Sequence, residues 1–403
     1  MSADVPRSTV IAVVLVTTAA QAASTMGAAV FPVIAPRLAA DVGVAPATIG
    51  YLISLIFGAA TLSAPFTSSA VTRWGACRAT QAGLTICALG MVLALTASIS
   101  GLAGCAILVG IGMTFMTPAS GHLLFRFSPP QNRNFIFSVK QTGVPLGWMI
   151  MALAAPSITL AVGWRWSIAL VIAICAGTVI ALQPVRARWD DDRKAGAAVA
   201  VSPFAGLRLL WRYPVLRWLA MSAMCLTFVQ LCLATFLVTM LVEEGGYSLV
   251  AAGVMLSLAQ AAGVAGRVVW GWVADRKGDA LGLLQKTAMA TTLCCVIAAF
   301  IGPSWPMPVL ALFLMVFGMA AIGWNGLFLA ETAHKSPHGM VSIATSGAMV
   351  WNFAGILIGP ALFATAYNVT DSYAHTYGAM SIVALLGTVL LTLSASAARR
   401  ARA

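Results

Sequence analysis

Charge is what this chain most lacks. Only 8% of its 403 residues are Asp, Glu, Lys or Arg, where soluble domains carry about 25%. Mean hydropathy is +0.93. A soluble globular fold is excluded, and the length accommodates about twelve apolar spans of roughly 20 residues with short loops. Acidic residues are the scarcer sign, 11 against 23 Lys and Arg. Cysteine is present but has no C-x-x-C or Cys/His spacing, so neither a disulfide framework nor a metal site is implied. The eight cysteines sit in or beside apolar runs and read as small packing residues. No nucleophile/base pair is visible, which argues against a membrane enzyme, and no extra signalling domain accompanies the runs.

What is present is a series of apolar runs at about 9–35, 48–70, 79–99, 101–124, 135–157 and 162–184, then at about 216–242, 249–273, 282–302, 307–331, 339–366 and 375–396. Backbone groups in lipid must be satisfied within the segment, so these runs are expected to be helices. Arg7, Ser8–Ala20 and the small residues around Gln21 resemble a secretory leader, but the run continues to about Ala35, too long for one, and is read as the first span. The long polar segment is Gln183–Pro214, which carries Asp190-Asp191-Asp192-Arg193-Lys194. The expected organisation is therefore all-α: an N-terminal six-helix bundle over 1–184, a linker over 185–215, and a C-terminal six-helix bundle over 216–403.

The basic residues are unevenly placed. Arg7, Arg73, Arg78, Arg126, Arg133, the linker basics, Arg276, Lys277, Lys286, Lys335 and Arg399, Arg400 and Arg402 fall on one side, and only Arg37 and Arg165 on the other. The positive-inside rule places the first side, with both termini and the linker, in the cytoplasm. The net charge of +12 thus follows topology and is not a signal for nucleic acid.

The halves repeat. Ser138-Val-Lys-Gln-Thr-Gly143 opens the fifth run and Ser342-Ile-Ala-Thr-Ser-Gly347 the eleventh. Thr72-Arg73-Trp74-Gly75 follows the second run and Asp275-Arg276-Lys277-Gly278 the eighth. Both pairs are offset by about 203–204 residues. Duplication at the scale of six helices is a transporter signature. Gly143-Val-Pro145-Leu-Gly147 and Gly355-Ile-Leu-Ile-Gly359-Pro360 occupy matching places, where they either bend the helices or let them pack closely.

Gly271-x-x-Ala274-Asp275-Arg276-x-Gly278, between runs eight and nine, resembles the loop signature of the major facilitator superfamily. The first copy has Thr72 where the family has an aspartate. The fifth-run stretch is similar to the family's antiporter signature, with Val144 in place of a glycine, and Cys105 and Ala106 stand where many members have an arginine. Lys140-Gln-Thr-Gly-Val-Pro-Leu-Gly147, Gly266-Arg267 and Gly323-Trp-Asn-Gly-Leu-Phe-Leu-Ala-Glu331 resemble bacterial organic-anion branches of the oxalate:formate, monocarboxylate and cyanate types. The eleventh run has no lysine, which argues against oxalate itself. The resemblance implies two pseudo-symmetric six-helix bundles that rock around a central site, with helices five and eight side by side where the halves meet.

Two cations lie inside the runs. Arg267 is eight residues before Asp275, roughly 12 Å inside the boundary at 1.5 Å per residue, in a hydrocarbon core about 30 Å thick. Lys140 lies at similar depth, seven residues past Arg133. A cation there costs at least about 2.5–3.5 kcal/mol. The acids Asp275, Glu331, Glu243 and Glu244 all fall at run ends. A carrier of cations needs a membrane carboxylate, and this chain offers cations instead. Arg267 and Lys140 are therefore expected to neutralise a small anionic substrate, with no cofactor or metal. Snorkelling of Lys140 and pairing of Arg267 with Glu331 are the structural alternatives.

Polar residues at helical spacing supply candidate orienting groups: Thr17, Gln21 and Thr25; Ser257, Gln260 and Arg267; Ser342, Thr345 and Asn352. Gln141, Gln230 and Asn325 add single polar groups, and Trp148, Trp324 and Trp351 candidate walls. His122 is a candidate proton carrier or a packed histidine. Asp275, Arg276 and Glu331 are expected to form a cytoplasmic latch, with no acidic equivalent in the first half because of Thr72. The partners expected are an anionic substrate, a co-transported proton and the lipid bilayer, for a monomer in the inner membrane. The competing reading is a proton-coupled efflux carrier for neutral or amphiphilic compounds.

Overall fold

The computed structural model describes residues 6–129, 136, 139–193, 205–337 and 340–400, with side chains at 65–66, 68–70, 72, 205, 275, 341–343 and 346 left aside. Among the described residues every regular element is helical. Twelve helical spans among the described residues are long and apolar enough to cross a membrane. The first, Arg7–Val42, outruns its apolar stretch and ends on Gly43, whose φ of 76° is the left-handed cap that lets the chain turn off the helix.

The chain forms two compact units, Met1–Pro46 with Leu55–Ala200, and Ala47–Ser54 with Val201–Ala403. The division falls inside the expected linker, yet much of that linker is built structure. Gln183–Trp189 is a helix of the first unit, and Ala205–Arg212 is a helix of the second. The opening of the second span, Ala47–Ser54, groups with the second unit. There Pro360 cannot donate a backbone hydrogen bond, and the next amide, Ala361, donates to Ser54 Oγ at 3.0 Å.

The first and seventh spans carry long enclosed stretches. Ala20–Ala35 of the first span is an unbroken buried stretch, and the seventh span, Pro214–Glu243, is buried over most of its length. Glycine is why the neighbours come so close. A Cβ on Gly143 or Gly147 of the fifth span would stand 2.7 Å from the carbonyl oxygen of Thr18 or Ala22 in the first. A Cβ on Gly355 of the eleventh would overlap the Met224 carbonyl of the seventh. The two matched glycine stretches are thus contact faces, and the eleventh helix, Val341–Thr370, runs on through Pro360. A second matched pair joins spans two and four through Gly110 on the Ile56 carbonyl, and spans eight and ten through Gly318 on the Ala259 carbonyl.

Two runs that read as single helices are interrupted. The fourth span divides into Ile99–Met113 and Met116–Phe127. Pro118 lacks the N–H that would reach the Thr114 carbonyl, which instead accepts from Thr67 Oγ1 at 3.4 Å. The tenth divides at Trp324 into Met307–Gly323 and Asn325–Lys335. There the Asn325 side chain donates to the Ile322 carbonyl at 3.3 Å and competes with the backbone ladder. All eight cysteines are buried and free, as packing residues.

Candidate functional site

Lys140 is helical, just before a turn at Thr142 that precedes the helix Gly143–Val162. Because Gly143 and Gly147 press that helix against the first span, Gln21 comes within reach of the ammonium. Lys140 Nζ donates to Gln21 Oε1 at 2.8 Å and to Gln141 Oε1 at 3.3 Å. Lys140 is 3% exposed, which is too enclosed for snorkelling to the surface. The other hydroxyls of the expected stripe turn inward on their own helix. Thr17 donates to the Val13 carbonyl and Thr25 to that of Gln21. Gln21 alone of that stripe meets the cation. Trp148 is buried on the fifth span.

In the second unit the polar groups gather at the interruption of the tenth span. A helix end leaves its last carbonyls without intrahelical partners, and side chains of the eighth span and of Trp324 itself take them. Arg267 Nε donates to the Ile322 carbonyl at 3.4 Å, Trp270 Nε1 to that of Met319 at 3.1 Å, and Trp324 Nε1 to that of Ala321 at 3.0 Å. Gln230 Oε1, from the seventh span, accepts from Asn325 Nδ2 at 3.0 Å and Trp324 Nε1 at 3.1 Å. Gly263 and Gly266 admit Ile322 and Met319 at the same contact. Arg267 and Asn325 thus share one carbonyl, with Gln230 joined through Asn325.

The remaining candidates lie elsewhere in this unit. Asn352 Oδ1 accepts from Thr227 Oγ1, which ties the eleventh span to the seventh, and Trp351 beside it is half-buried. Gln260 is buried on the eighth span, two turns before Arg267, and Ser257 donates to the Gly253 carbonyl. Among the described residues no carboxylate oxygen lies within 4.0 Å of Lys140 or Arg267. Glu331, the structural alternative as partner for Arg267, is buried and meets Lys335 at 3.3 Å. Arg276 lies over the Trp272 ring at 4.0 Å. The third member of the expected latch, Asp275, has its side chain outside the described residues.

One acidic cluster was not singled out from sequence. Asp190, 2% exposed, accepts from the backbone N–H of Cys77 at 2.7 Å and of Arg78 at 3.1 Å, at the start of the third span, Ala76–Ala94. A carboxylate there satisfies two orphan donors and meets the positive end of the helix dipole. Gly75 makes room for it: its φ is 96°, and a Cβ would overlap the Asp190 carboxyl. Asp192 meets His122 Nε2 at 2.8 Å and Arg126 at 3.3 Å, and Asp191 also pairs with Arg126. The Arg126 guanidinium holds the Asp191 carboxyl below its ordinary value. The first unit thus carries an acidic cluster, supplied from the segment after the sixth span. The signal in the sequence was a triple aspartate on a basic side whose own loop carries Thr72.

Asp190→Ala is expected to destabilise the protein by about 1–2 kcal/mol, the loss of a cap that leaves the buried Cys77 amide without its acceptor. Thermal unfolding in detergent reads it, and Asp191→Ala, at the exposed end of the cluster, is the comparison. Equal melting of the two variants would remove Asp190 from this role.

Twelve candidate spans among the described residues, with polar groups confined to a few positions inside them and charges at their ends, define a multi-pass membrane protein. The chain belongs to the Major Facilitator Superfamily, whose sequence profile matches residues 17–360. Two uncharacterised MFS-type transporters from two strains of Mycobacterium tuberculosis are each 28% identical over 176 residues. The match covers 43% of this chain and 38% of theirs. Among solved structures, a bacterial homolog of the human lysosomal transporter Spinster superposes with TM-score 0.73 at 16% identity, covering 98% of both chains. A POT family transporter in complex with 5-aminolevulinic acid superposes with TM-score 0.78 at 12% identity, covering 96% of both. These likenesses concern the fold.

Proposed function

We propose that this transporter carries a small organic anion, a carboxylate, across the inner membrane by alternating access, with both termini and the linker in the cytoplasm. The observation that carries the reading is that neither intramembrane cation has a carboxylate partner among the described residues. Lys140 meets two amide oxygens and Arg267 a backbone carbonyl. Such neutral acceptors solvate a charge without neutralising it. A carboxylate 4 Å from either cation would gain about 4 kcal/mol at an effective dielectric near 20. That exceeds the roughly 2.5–3.5 kcal/mol cost of holding the cation in a span.

In this reading Arg267 grips the carboxylate in a bidentate pair and Lys140 supplies a second positive charge. Gln21, Gln141, Gln260, Asn325 and Asn352 orient the substrate, and Trp148 and Trp351 meet its organic part. Asp275, Arg276 and Glu331 serve as the cytoplasmic latch. His122, against Asp192, is the candidate for a co-transported proton, and the protein works as a monomer.

The test is a thermal-shift screen of the purified protein against small organic acids and neutral drugs, followed by vesicle uptake of whatever binds. A ligand of the folded state raises the melting point. Carboxylates are expected to do so and neutral compounds not. The opposite pattern would move the assignment to an efflux carrier for neutral or amphiphilic compounds.

A further inference from the structure

The short helix Ala205–Arg212 and the first turn of the seventh span form a feature that substrate transport does not use. One face of the helix is apolar and packed. Leu210 is buried in the core with Leu216 and Leu219, and a Cβ on Gly347 of the eleventh span would stand 2.5 Å from the Gly206 backbone. The opposite face carries Arg208, Trp211 and Arg212, at i, i+3 and i+4, all exposed. Trp211 is 55% exposed, a large apolar ring left open among arginines.

Arg217, one turn into the seventh span, completes the group. Its guanidinium carbon lies 5.3 Å from the Trp211 ring centre and 4.6 Å from that of Trp218. Its Nε is buried without a hydrogen-bond partner. Among the described residues, none of Arg208, Arg212 and Arg217 has an acidic oxygen within 4.0 Å, whereas Arg78, Arg126 and Arg165 all do. Three unpaired arginines with two tryptophans therefore stand where the chain enters a span, at the level where aromatic rings and basic side chains meet lipid headgroups.

We propose that Arg208, Arg212 and Arg217, with Trp211 and Trp218, form a binding site for the phosphate of an anionic phospholipid headgroup. The guanidiniums match a phosphate in bidentate geometry. The exposed Trp211 ring selects lipid over free phosphate, because it gains contact only from a ligand that brings glycerol and acyl groups with it. Arg217 is the anchor, held against the Trp211 and Trp218 rings, and Arg208 and Arg212 are the outer contacts. The site stands apart from the substrate reading and does not depend on it.

The test titrates the purified full-length protein in detergent with dioleoylphosphatidylglycerol, dioleoylphosphatidylcholine or inorganic phosphate, and reads melting temperature and bound lipid by native mass spectrometry. Phosphatidylglycerol is expected to bind and raise the melting temperature, with little effect from the other two. Arg208→Gln/Arg212→Gln alters two exposed side chains without ion pairs, so the fold is retained. It should weaken phosphatidylglycerol roughly thirtyfold, at about 1 kcal/mol for each arginine. Arg217→Gln should weaken it further, and Arg37→Gln, an exposed arginine on the first span in the other unit, should leave it unchanged. Equal response to phosphatidylcholine, equal response to inorganic phosphate, or full retention in Arg208→Gln/Arg212→Gln would each overturn the proposal.

Discussion

Arg267→Gln is expected to abolish uptake of the transported carboxylate while leaving the protein folded and at least as stable. Glutamine keeps a donor for the Ile322 carbonyl, which Arg267 Nε now meets at 3.4 Å, but removes the charge. If the guanidinium binds the substrate, the loss is about 4 kcal/mol, close to a thousandfold in affinity. If it were a structural ion, removal would leave an acid unpaired and destabilise the fold by about 3–5 kcal/mol. The two roles therefore predict opposite changes in melting temperature. Lys140→Gln should behave in the same way, because Gln21 and Gln141 can bond to each other or to a new amide once the ammonium is gone. Arg267→Lys retains the charge without the planar fork, so uptake should fall only in part. Uptake kinetics unchanged in both glutamine variants would end the assignment of these two residues to the substrate.

Gly110→Ala and Gly318→Ala are expected to be the most damaging single-methyl changes in the two units. Each methyl would overlap a backbone carbonyl of the facing helix, that of Ile56 or Ala259. A backbone oxygen cannot rotate away as a side chain can, so the helices must separate. Overpacking costs about 1–3 kcal/mol where side chains can adjust, and here the cost should exceed that range. Gly177→Ala is the control: it lies in the helix Trp164–Ala181 with nothing within 4 Å of a built Cβ. It should be neutral or stabilising by up to about 1 kcal/mol, since alanine has the better helix propensity. Yield of folded protein and melting temperature read all three, and similar behaviour of Gly110→Ala and Gly177→Ala would show that the helices do not approach as described.

The glycines show how differently two levels of the molecule are legible. That Gly143, Gly147, Gly355 and Gly359 occupy matching places was plain from the repeat. That they admit a neighbour follows only from the facing carbonyls of Thr18, Ala22 and Met224. The interruptions were less visible. Pro118 and the pair Trp324-Asn325 lie within uniformly apolar runs, and hydropathy does not register a missing N–H or a side chain that competes for a carbonyl. Asp190 is the clearest case of a reading changed by tertiary structure: as sequence it is one of three aspartates in a polar linker, and as structure it is the buried cap of the third span.

The sequence alone determined that this is a multi-pass membrane protein with twelve apolar runs long enough to span, that its pattern repeats in two halves and that it belongs with the major facilitators. Those properties are local or periodic: each span must hide its own backbone in hydrocarbon, and each half repeats the same solution. Only the tertiary structure decided which groups meet. Lys140 finds Gln21 across 119 residues, Cys77 finds Asp190 across 113 and Asn325 finds Gln230 across 95. A partner that distant is chosen by how helices pack, and no pattern along the chain encodes it.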